Sequence, residues 1–365
     1  MCCCVRRAPD AESFTGQQMG VKRFGKRFLD KLASMRRATI HDVAAAAGVS
    51  VSTVSKAVNG RYGVAPDTVE RVLNAVHDLG YESSLIASSM RSRRTGVIGV
   101  LVADFEPFSA EILKGVATGL SRTGYDLLAY SGAREAPGEG WERRSLSRLS
   151  GTLIDGAIMV TPSVVNVAAD VPVVAIDPHT GPADLPVVES DSFGGALQAV
   201  RYLTGLGHTR IGFVAGRPDL RSSIAREAGY RKALAEAGIL VDPALIGSGR
   251  YRDDTAREVA RAALARPARP TAIFAANDIS AIAVIQVAAE LGLDVPRDLS
   301  VIGFDDVPDA SQHTPPLTTV RQRMQRLGEV AVGMLTGFVE GHAPEQTHVR
   351  LPTELVVRAT TAPPR

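Results

Sequence analysis

The sequence predicts a small all-helical domain near the N-terminus, followed by a larger α/β body of two doubly wound, parallel-sheet lobes. At 365 residues, the chain exceeds what one ordinary hydrophobic core accommodates. Three short amphipathic helical patterns follow one another between residues 39 and 80. From Thr95 onward, short apolar runs alternate with helical patterns, which is typical of βαβ units.

The charge is unevenly distributed along the chain. Residues 20–95 contain 13 Lys and Arg against 6 Asp and Glu, whereas residues 96–365 contain 26 against 31. A basic front part suits a polyanionic partner such as nucleic acid. A solvated basic tail explains part of this excess, because the charges between Lys22 and Lys31 lie outside any motif.

The first residues lack the patterns of folded structure. Residues 1–36 are polar and basic without periodicity, so we expect them to be disordered, with Met35 as the true translation start. The cysteines of the chain are Cys2, Cys3 and Cys4, which excludes a disulfide framework and agrees with a reducing cytoplasm. No His or Cys stands at metal-ligand spacing from them.

Sequence motifs of membrane proteins and of common enzymes are also absent. No apolar run reaches the roughly 18 to 20 residues of a membrane span. The sequence has no nucleophile elbow, no phosphate-binding Gly/Lys/Ser loop and no His/Asp metal cluster. We therefore expect a cytoplasmic protein that has no cofactor, metal or membrane partner and is not an enzyme.

The strongest local signal is TIHDVAAAAGVSVSTVSKAVN at residues 39–59. Thr39 and Asp42 have capping-box spacing, Gly48 suits a left-handed turn, and Ser50 can cap a second helix. The first helix has apolar residues at i, i+3, i+4 and i+7, namely Ile40, Val43, Ala44 and Ala47. The second turns Val54, Ala57 and Val58 inward, so that Val51, Ser52, Ser55 and Lys56 point elsewhere.

A third helix completes the predicted domain. Pro66 suits its first turn, and its apolar face contains Val69, Val72, Leu73 and Val76. The small side chains of Ala44 and Ala47 allow two short helices to cross closely, as a helix-turn-helix requires. From periodicity alone, a generic alanine-rich helical hairpin remains an alternative.

The residues themselves add a resemblance. Residues 40–44 (IHDVA), 47–50 (AGVS), 53–59 (TVSKAVN) and 79–81 (LGY) closely resemble the DNA-binding head of the LacI/GalR (lactose/galactose repressor) family. The resemblance implies that Val51, Ser52 and Lys56 contact bases, as His41 can, which suits the chemistry of base edges in the major groove. It implies phosphate or sugar contacts by Thr39, Ser50, Thr53, Ser55 and Asn59.

The same resemblance predicts a hinge helix and linker over residues 83–94. Ser83 and Ser84 replace the usual Pro-Asn pair, and Met90 stands where the family has a Leu that wedges into the minor groove. Met is an acceptable apolar wedge. Ala87 and Met90 are accordingly the base contacts expected from this segment.

Polar residues follow the predicted strands of the body, where doubly wound sheets bind their ligands. They are Asp104-Phe105-Glu106, Asp177, Arg217, Asn277-Asp278 and Asp305-Asp306. Each alone is more often a loop or cap residue. Together they indicate a polar pocket lined by hydrogen-bonding groups.

The body also resembles the effector domain of that family, itself similar to periplasmic sugar-binding proteins. The resemblance rests on residues 205–216, 225–239, 271–285, 298–308 and 315–322. It implies effector contacts by Asp177, Arg226, Asn277, Asp305 and Gln322, with Tyr251 as a weaker candidate for stacking on a sugar. The loop at residues 104–109 is one residue shorter than in many relatives, although Phe105 within it remains a candidate contact.

These observations predict a basic extension (1–36), a helix-turn-helix domain (37–82), a hinge (83–94) and a periplasmic-binding-protein-like effector and dimerisation domain (95–365). Within the last, lobe 1 is expected at 95–190 and 322–350, and lobe 2 at 191–320 with the C-terminal tail. The expected partners are a near-palindromic double-stranded DNA operator, a sugar-like effector and a second copy of the chain. A nucleobase or other metabolite as effector is the nearest alternative. A sugar enzyme and a periplasmic solute-binding protein are more distant alternatives.

Overall fold

The structure, a computed structural model, describes residues 38–58, 63–79, 94–132, 140–163, 169–179, 185–342 and 344–365. The chain divides into two compact units, a head that ends at Ala87 and a body that begins at Ser88. The predicted extension (1–36) and residues 83–93 of the predicted hinge lie outside the described residues.

The described part of the head is helical. Its helices are α1 (Ile40–Ala47), α2 (Val51–Val58) and α3 (Pro66–Leu79). Thr39 and Asp42 form the predicted capping box, and Gly48 ends α1 in the left-handed conformation with a φ of 63°. The helices share one apolar core, formed by Val43, Ala44, Ala47, Val54, Ala57, Val72 and Ala75. This arrangement confirms the predicted helix-turn-helix domain.

The body is built on two six-stranded sheets. Their strands are β1 (Val97–Val102), β2 (Asp126–Ser131), β3 (Gly156–Val160), β4 (Val173–Ile176), β5 (Val187–Ser190), β6 (Ile211–Ala215), β7 (Ile246–Ser248), β8 (Ala272–Ala275), β9 (Ser300–Asp305), β10 (Thr318–Arg321), β11 (His348–Leu351) and β12 (Glu354–Val356). Lobe 1 has the order β11-β5-β4-β3-β1-β2, and lobe 2 has the order β12-β10-β9-β8-β6-β7. Within these sheets β12 pairs antiparallel with β10, and the other pairings are parallel. The two predicted parallel-sheet lobes are thereby confirmed.

Helices cover the sheets, as parallel strands require. They are α4 (Pro107–Leu120), α5 (Trp141–Leu149), α6 (Ser192–Gly205), α7 (Arg221–Glu236), α8 (Asp253–Leu264), α9 (Asp278–Glu290), α10 (Pro308–Gln312) and α11 (Met324–Val339). Strands β1, β3, β4 and β9 are buried along their whole length, so their apolar runs pack against helices on both faces.

The chain crosses between the lobes at three places in the described body. It passes from β5 into α6, from β10 into α11, and from β11 into β12. In lobe 1, α11 packs on α4 at a very short distance, because a Cβ on Gly115 would lie only 1.9 Å from the Gln325 carbonyl oxygen. The crossover helix α11 is thus an integral part of the lobe 1 core.

The C-terminal segment packs onto lobe 2. The Thr360 hydroxyl donates to the Val301 carbonyl at 2.7 Å, and the Val301 N–H donates to the Thr360 carbonyl at 2.8 Å. His208 Nε2 lies 2.9 Å from the Ala362 carbonyl. Residues 360–362 therefore complete the hydrogen bonding of β9.

Helix boundaries differ from the predicted ones by a few residues. The sequence pattern indicates a helix from residue 109, but α4 begins at Pro107, because proline suits the first helical position. A second pattern indicates a helix from residue 223, and α7 begins at Arg221. The sequence patterns did not predict β5, β7, β10, β11 or β12, because none of these strands contains an uninterrupted run of more than two apolar residues.

Candidate DNA-reading face and effector cavity

The head presents one face of α2 to solvent. Val54 and Ala57 are buried in the core, Ser52 and Lys56 are exposed, and Val51 is half-buried between them. The Ser50 hydroxyl caps α2 by accepting the Thr53 N–H at 3.2 Å. Ser52 and Lys56 therefore occupy the solvent side of a helix that is fixed at its N-terminus, whereas the half-buried Val51 also packs against the core of the head.

The structure describes some of the remaining predicted DNA contacts but not others. His41 on α1 is exposed, and the Thr39 side chain is held by Asp42 in the capping box. Thr53 and Ser55 are half-buried on α2. Asn59, Ala87 and Met90 lie outside the described residues.

A cavity of about 890 Å³ lies between the two lobes of the body. Its walls are the carboxyl ends of the strands, which is where this class of sheet binds ligands. Lobe 1 contributes residues after β1, β3 and β4, and lobe 2 contributes residues after β6, β7, β8 and β9. Among the predicted effector contacts, Asp177, Arg226, Tyr251, Asn277 and Asp305 line this cavity.

Two predicted contacts do not line the cavity. Gln322 is buried behind Asp305, to whose Oδ1 it donates through Nε2 at 2.6 Å. Gln322 therefore orients a cavity carboxylate in this structure. Phe105 is 53% exposed and is not among the residues that line the cavity.

Arg226 is the central cation of the cavity wall. Its guanidinium lies 3.8 Å from the centroid of the Phe304 ring and donates to the Ala276 carbonyl. Its Nη1 lies 3.7 Å from Asp305 Oδ1. Because Arg226 is only 5% exposed, these contacts fix both its position and that of Asp305.

Asn277 and Asp177 are also held by the backbone. The Asn277 Oδ1 accepts the Ser280 N–H at 3.0 Å and caps α9, while its Nδ2 donates to the Tyr251 carbonyl. Asp177 Oδ1 accepts the Ser190 N–H at 2.9 Å, next to the first crossover. The cavity thus has polar groups whose directions are set before a ligand arrives.

The turn after β9 is strained. Asp305 has a φ of 117° and Asp306 a φ of 60°, conformations that residues with a Cβ rarely adopt. Asp306 does not face the cavity but pairs with Arg321 at 2.7 Å and Arg358 at 2.6 Å. The buried Asp278 accepts the Val307 N–H at 2.9 Å and so holds the far side of the turn.

Burial shifts the pKa of several cavity groups and raises those of Glu106 and Asp278. It raises the pKa of Asp177 to about 6, and it raises that of Asp305 to about 7 although Arg226 and Gln322 act in the opposite direction. Burial and, to a lesser extent, Arg217 lower the pKa of His179 to about 4. At neutral pH the imidazole of His179 is therefore neutral, and the carboxyl group of Asp305 is partly protonated.

A pH dependence of stability follows for the ligand-free protein. Asp177 and Asp305 bind protons more tightly in the folded than in the unfolded chain, where an Asp has a pKa near 3.9. Their contribution to stability is thus fully present below about pH 4 and is lost as the pH rises through about 6 to 7. We expect Asp305→Asn to become more stable relative to the original protein between pH 5 and pH 8, by on the order of 1 to 3 kcal/mol.

Urea unfolding at the two pH values measures this change. Asp309→Asn, which alters an exposed carboxylate four residues away, is the matched control and should show no such trend. An equal pH trend in both variants would contradict the assignment to Asp305.

Several cavity residues were not predicted from the sequence. They include Trp141, Thr161, Ser163, His179, Asp219, Ser222 and Arg250. Thr161 and His179 follow β3 and β4 directly, so the rule about strand ends could have found them. Trp141 comes ten residues after β2, and no local signal places its ring beside the strand end.

The described part of the chain contains no cluster of three or more His, Cys, Asp or Glu residues that could hold a metal ion. None of the described helices is long and apolar enough to cross a membrane.

Comparison with known proteins supports both units. The pattern of the bacterial regulatory proteins of the lacI family matches residues 39–84, and that of the periplasmic binding protein-like domain matches residues 200–361. The HTH-type transcriptional repressor PurR of Pasteurella multocida (strain Pm70) is 32% identical over 329 residues, which cover 88% of this chain and 98% of that protein.

Two solved structures extend the comparison. The lac repressor dimer bound to operator and the anti-inducer ONPF has a TM-score of 0.79 at 27% identity, covering 90% of this chain and all of that one. The transcriptional regulator CelR in complex with cellobiose has a TM-score of 0.67 at 31% identity, covering 89% of this chain and all of that one.

A helix-turn-helix joined to a two-lobed binding domain defines the class of DNA-binding transcription regulators that respond to a small molecule. The chain belongs to the LacI family of bacterial regulatory proteins. It is a DNA-binding transcriptional repressor with an effector-binding domain, as the sequence predicts. The relatives named above are regulators of transcription rather than enzymes.

Proposed function

We propose that this repressor binds a near-palindromic operator as a homodimer and that a sugar-like effector in the cavity controls its affinity for DNA. The observation that carries the proposal is the set of fixed hydrogen-bonding groups contributed by both lobes to one cavity. Asp177 comes from lobe 1, whereas Arg226, Asn277 and Asp305 come from lobe 2. A ligand that bonds to all four favours one arrangement of the lobes.

The chemistry of these groups suits a polyhydroxylated ligand. Carboxylate, amide and guanidinium groups bind neighbouring hydroxyls through paired hydrogen bonds. Tyr251 lies in the same wall and offers an aromatic surface to an apolar sugar face. The similarity to CelR, whose structure contains cellobiose, supports the same class of ligand here.

On the DNA side, α2 is the proposed recognition helix. Lys56 can donate to guanine, Ser52 can bond to either class of base, and Val51 can contact a thymine methyl group. A twofold dimer would place two such helices in successive major grooves, which implies a near-palindromic site. The lac repressor dimer on its operator supports this assembly, in which the bodies pair and the heads read DNA in the cytoplasm at the nucleoid.

The effector would act through its different affinities for the two lobe arrangements. A ligand changes DNA binding only as far as it prefers one arrangement over the other. Asp177 and Asp305 are suited to this role, because each is bonded to a residue at a crossover, Ser190 and Gln322 respectively. Closing the lobes around a ligand would therefore move the segments that join them.

The test measures DNA binding and ligand binding on the full chain. Fluorescence anisotropy compares a duplex from the promoter of its own gene with a scrambled duplex, and a thermal-shift panel contains sugars and nucleobases. We expect preference for the promoter duplex, a higher Tm with at least one sugar, and a change in operator affinity with that sugar. Stabilisation by a nucleobase alone would overturn the sugar assignment, and equal binding to both duplexes would refute operator recognition.

A further inference from the structure

The cavity extends along the sheets beyond Asp177, Arg226, Asn277 and Asp305. In lobe 1 the strands run from the crossover strand β5 outward through β4, β3 and β1 to the edge strand β2. Neighbouring strands lie about 4.8 Å apart, so the ends of β4 and β2 are about 14 Å apart. In lobe 2 the strands run in a matching order from the crossover strand β10 outward through β9, β8 and β6 to the edge strand β7. The cavity lining runs from Asp177 after β4 to Trp141, whose ring packs on Gly132 just after β2, and from Asp305 at the end of β9 to Arg250 after β7.

The inner end of the cavity contains the hydrogen-bonding groups already described. Asp177 follows β4, Asn277 follows β8 and Asp305 is the last residue of β9. These strands are the ones nearest the crossovers, and Arg226 lies against the last of them. Four polar groups on adjacent strand ends are sufficient to bind the hydroxyls of one sugar ring.

The outer end in lobe 1 is built around Trp141. Its ring lies over Gly132 at the end of β2, where a Cβ would come within 2.3 Å of the ring. The next residue, Glu142, is fully buried and accepts hydrogen bonds from the Ser163 N–H and hydroxyl at 2.7 and 2.6 Å. This pair ties the start of α5 to the loop after β3, so Trp141 and Ser163 hold fixed positions in the wall.

The outer end in lobe 2 is the loop after β7. Arg250 and Tyr251 take left-handed conformations, with φ of 54° and 64°, which place their side chains at the cavity. The Tyr251 ring packs on Gly216, where a Cβ would lie 2.1 Å from it, and its hydroxyl lies 3.2 Å from that of Ser222. Arg250 is exposed and, among the described residues, its guanidinium has no hydrogen-bond or ion-pair partner.

We propose that the effector is an oligosaccharide of at least two sugar units. The inner unit binds Asp177, Asn277 and Asp305, and the outer unit lies between Trp141 and Arg250. Trp141, which is 8% exposed in the ligand-free cavity, supplies an apolar contact to a second ring, and the unpaired Arg250 guanidinium supplies donors to the hydroxyls of that ring. This inference rests on the proposed sugar response and adds the size of the ligand to it.

The fluorescence of Trp141 provides a binding assay for this inference. Trp141 is the one tryptophan in the sequence, so intrinsic fluorescence reports on the outer end of the cavity. Matched probes are glucose with cellobiose and maltose, xylose with xylobiose, and mannose with mannobiose, each titrated into the full chain. We expect at least one disaccharide to bind roughly tenfold more tightly than its monosaccharide, because the second ring adds hydrogen bonds to a charged group.

Variants locate the second unit. Arg250→Ala should weaken binding of that disaccharide roughly tenfold in calorimetry and leave binding of the monosaccharide unchanged. Trp141→Phe keeps an aromatic side chain in the wall while reducing its surface, and should act in the same direction. Arg269→Ala is the matched control. Arg269 is an exposed arginine just before β8, at the amino ends of the strands and therefore away from the cavity.

The outcomes separate this inference from the function on which it rests. If a monosaccharide binds as tightly as its disaccharides, or if Arg250→Ala weakens both equally, the sugar response stands and the second unit is refuted. If no saccharide of either length changes the fluorescence or raises the Tm, the sugar response and the inference fall together. We expect Arg250→Ala to have an unchanged Tm without ligand, which would show that the substitution does not disturb folding.

Discussion

Asp305→Ala is expected to abolish the effect of the sugar on operator binding while the protein still recognises its operator. Asp305 is one of the fixed cavity carboxylates, and it lies 3.7 Å from Arg226 and 2.6 Å from Gln322. Its removal takes away two ligand acceptors and the group that orients Arg226 toward the ligand. We expect a loss of effector affinity of roughly hundredfold, measured by calorimetry with the sugar that stabilises the original protein.

Two controls separate ligand binding from folding in this experiment. Asp305→Asn keeps an oxygen for the Gln322 amide, so it should fold as well as the original protein and bind the sugar with an intermediate affinity. Asp309→Ala removes an exposed carboxylate on α10 and should respond normally. A normal response by Asp305→Ala would place the effector elsewhere.

Lys56→Ala is expected to remove most of the preference for operator over random DNA. Lys56 is exposed on α2, one turn beyond Ser52, and its replacement disturbs neither the core nor the capping of the helix. Loss of one base contact costs about 1 to 3 kcal/mol of discrimination. The ratio of the two dissociation constants at fixed salt should therefore fall about 5- to 150-fold.

Arg71→Ala provides the matched control for the head. It removes one positive charge from the exposed side of α3, so it can weaken DNA binding through phosphates but should do so equally for all sequences. Circular dichroism should be unchanged for both variants. If Lys56→Ala and Arg71→Ala lower affinity while keeping the same operator preference, Lys56 does not read bases.

Much of the fold was predictable because it depends on local patterns. The capping box at Thr39, the left-handed turn at Gly48 and the inward face of α2 follow from short-range spacing, and each is present. The apolar strands of the body and the polar residues after them were predictable for the same reason. Parallel strands bring their carboxyl ends to one edge, so Asp177, Asn277 and Asp305 meet at one cavity.

The direction of individual side chains was less predictable, because it depends on distant packing. Gln322 contacts Asp305 from behind, and Asp306 pairs with Arg321 and Arg358, although both residues follow strands as cavity residues do. The reason is the strained turn after β9, which sends two successive aspartates to opposite sides. Trp141 reaches the cavity only because Gly132 leaves room for its ring.

The three crossovers have a consequence for synthesis on the ribosome. Helix α11 and strand β11 complete the lobe 1 core, but more than a hundred residues of lobe 2 separate them from β5 in the chain. At about 5 to 20 residues per second, the apolar face of α4 waits on the order of ten seconds for its partner. The nascent body is thus exposed to aggregation during that interval, whereas the small head, which has a core of its own, can fold as soon as it emerges.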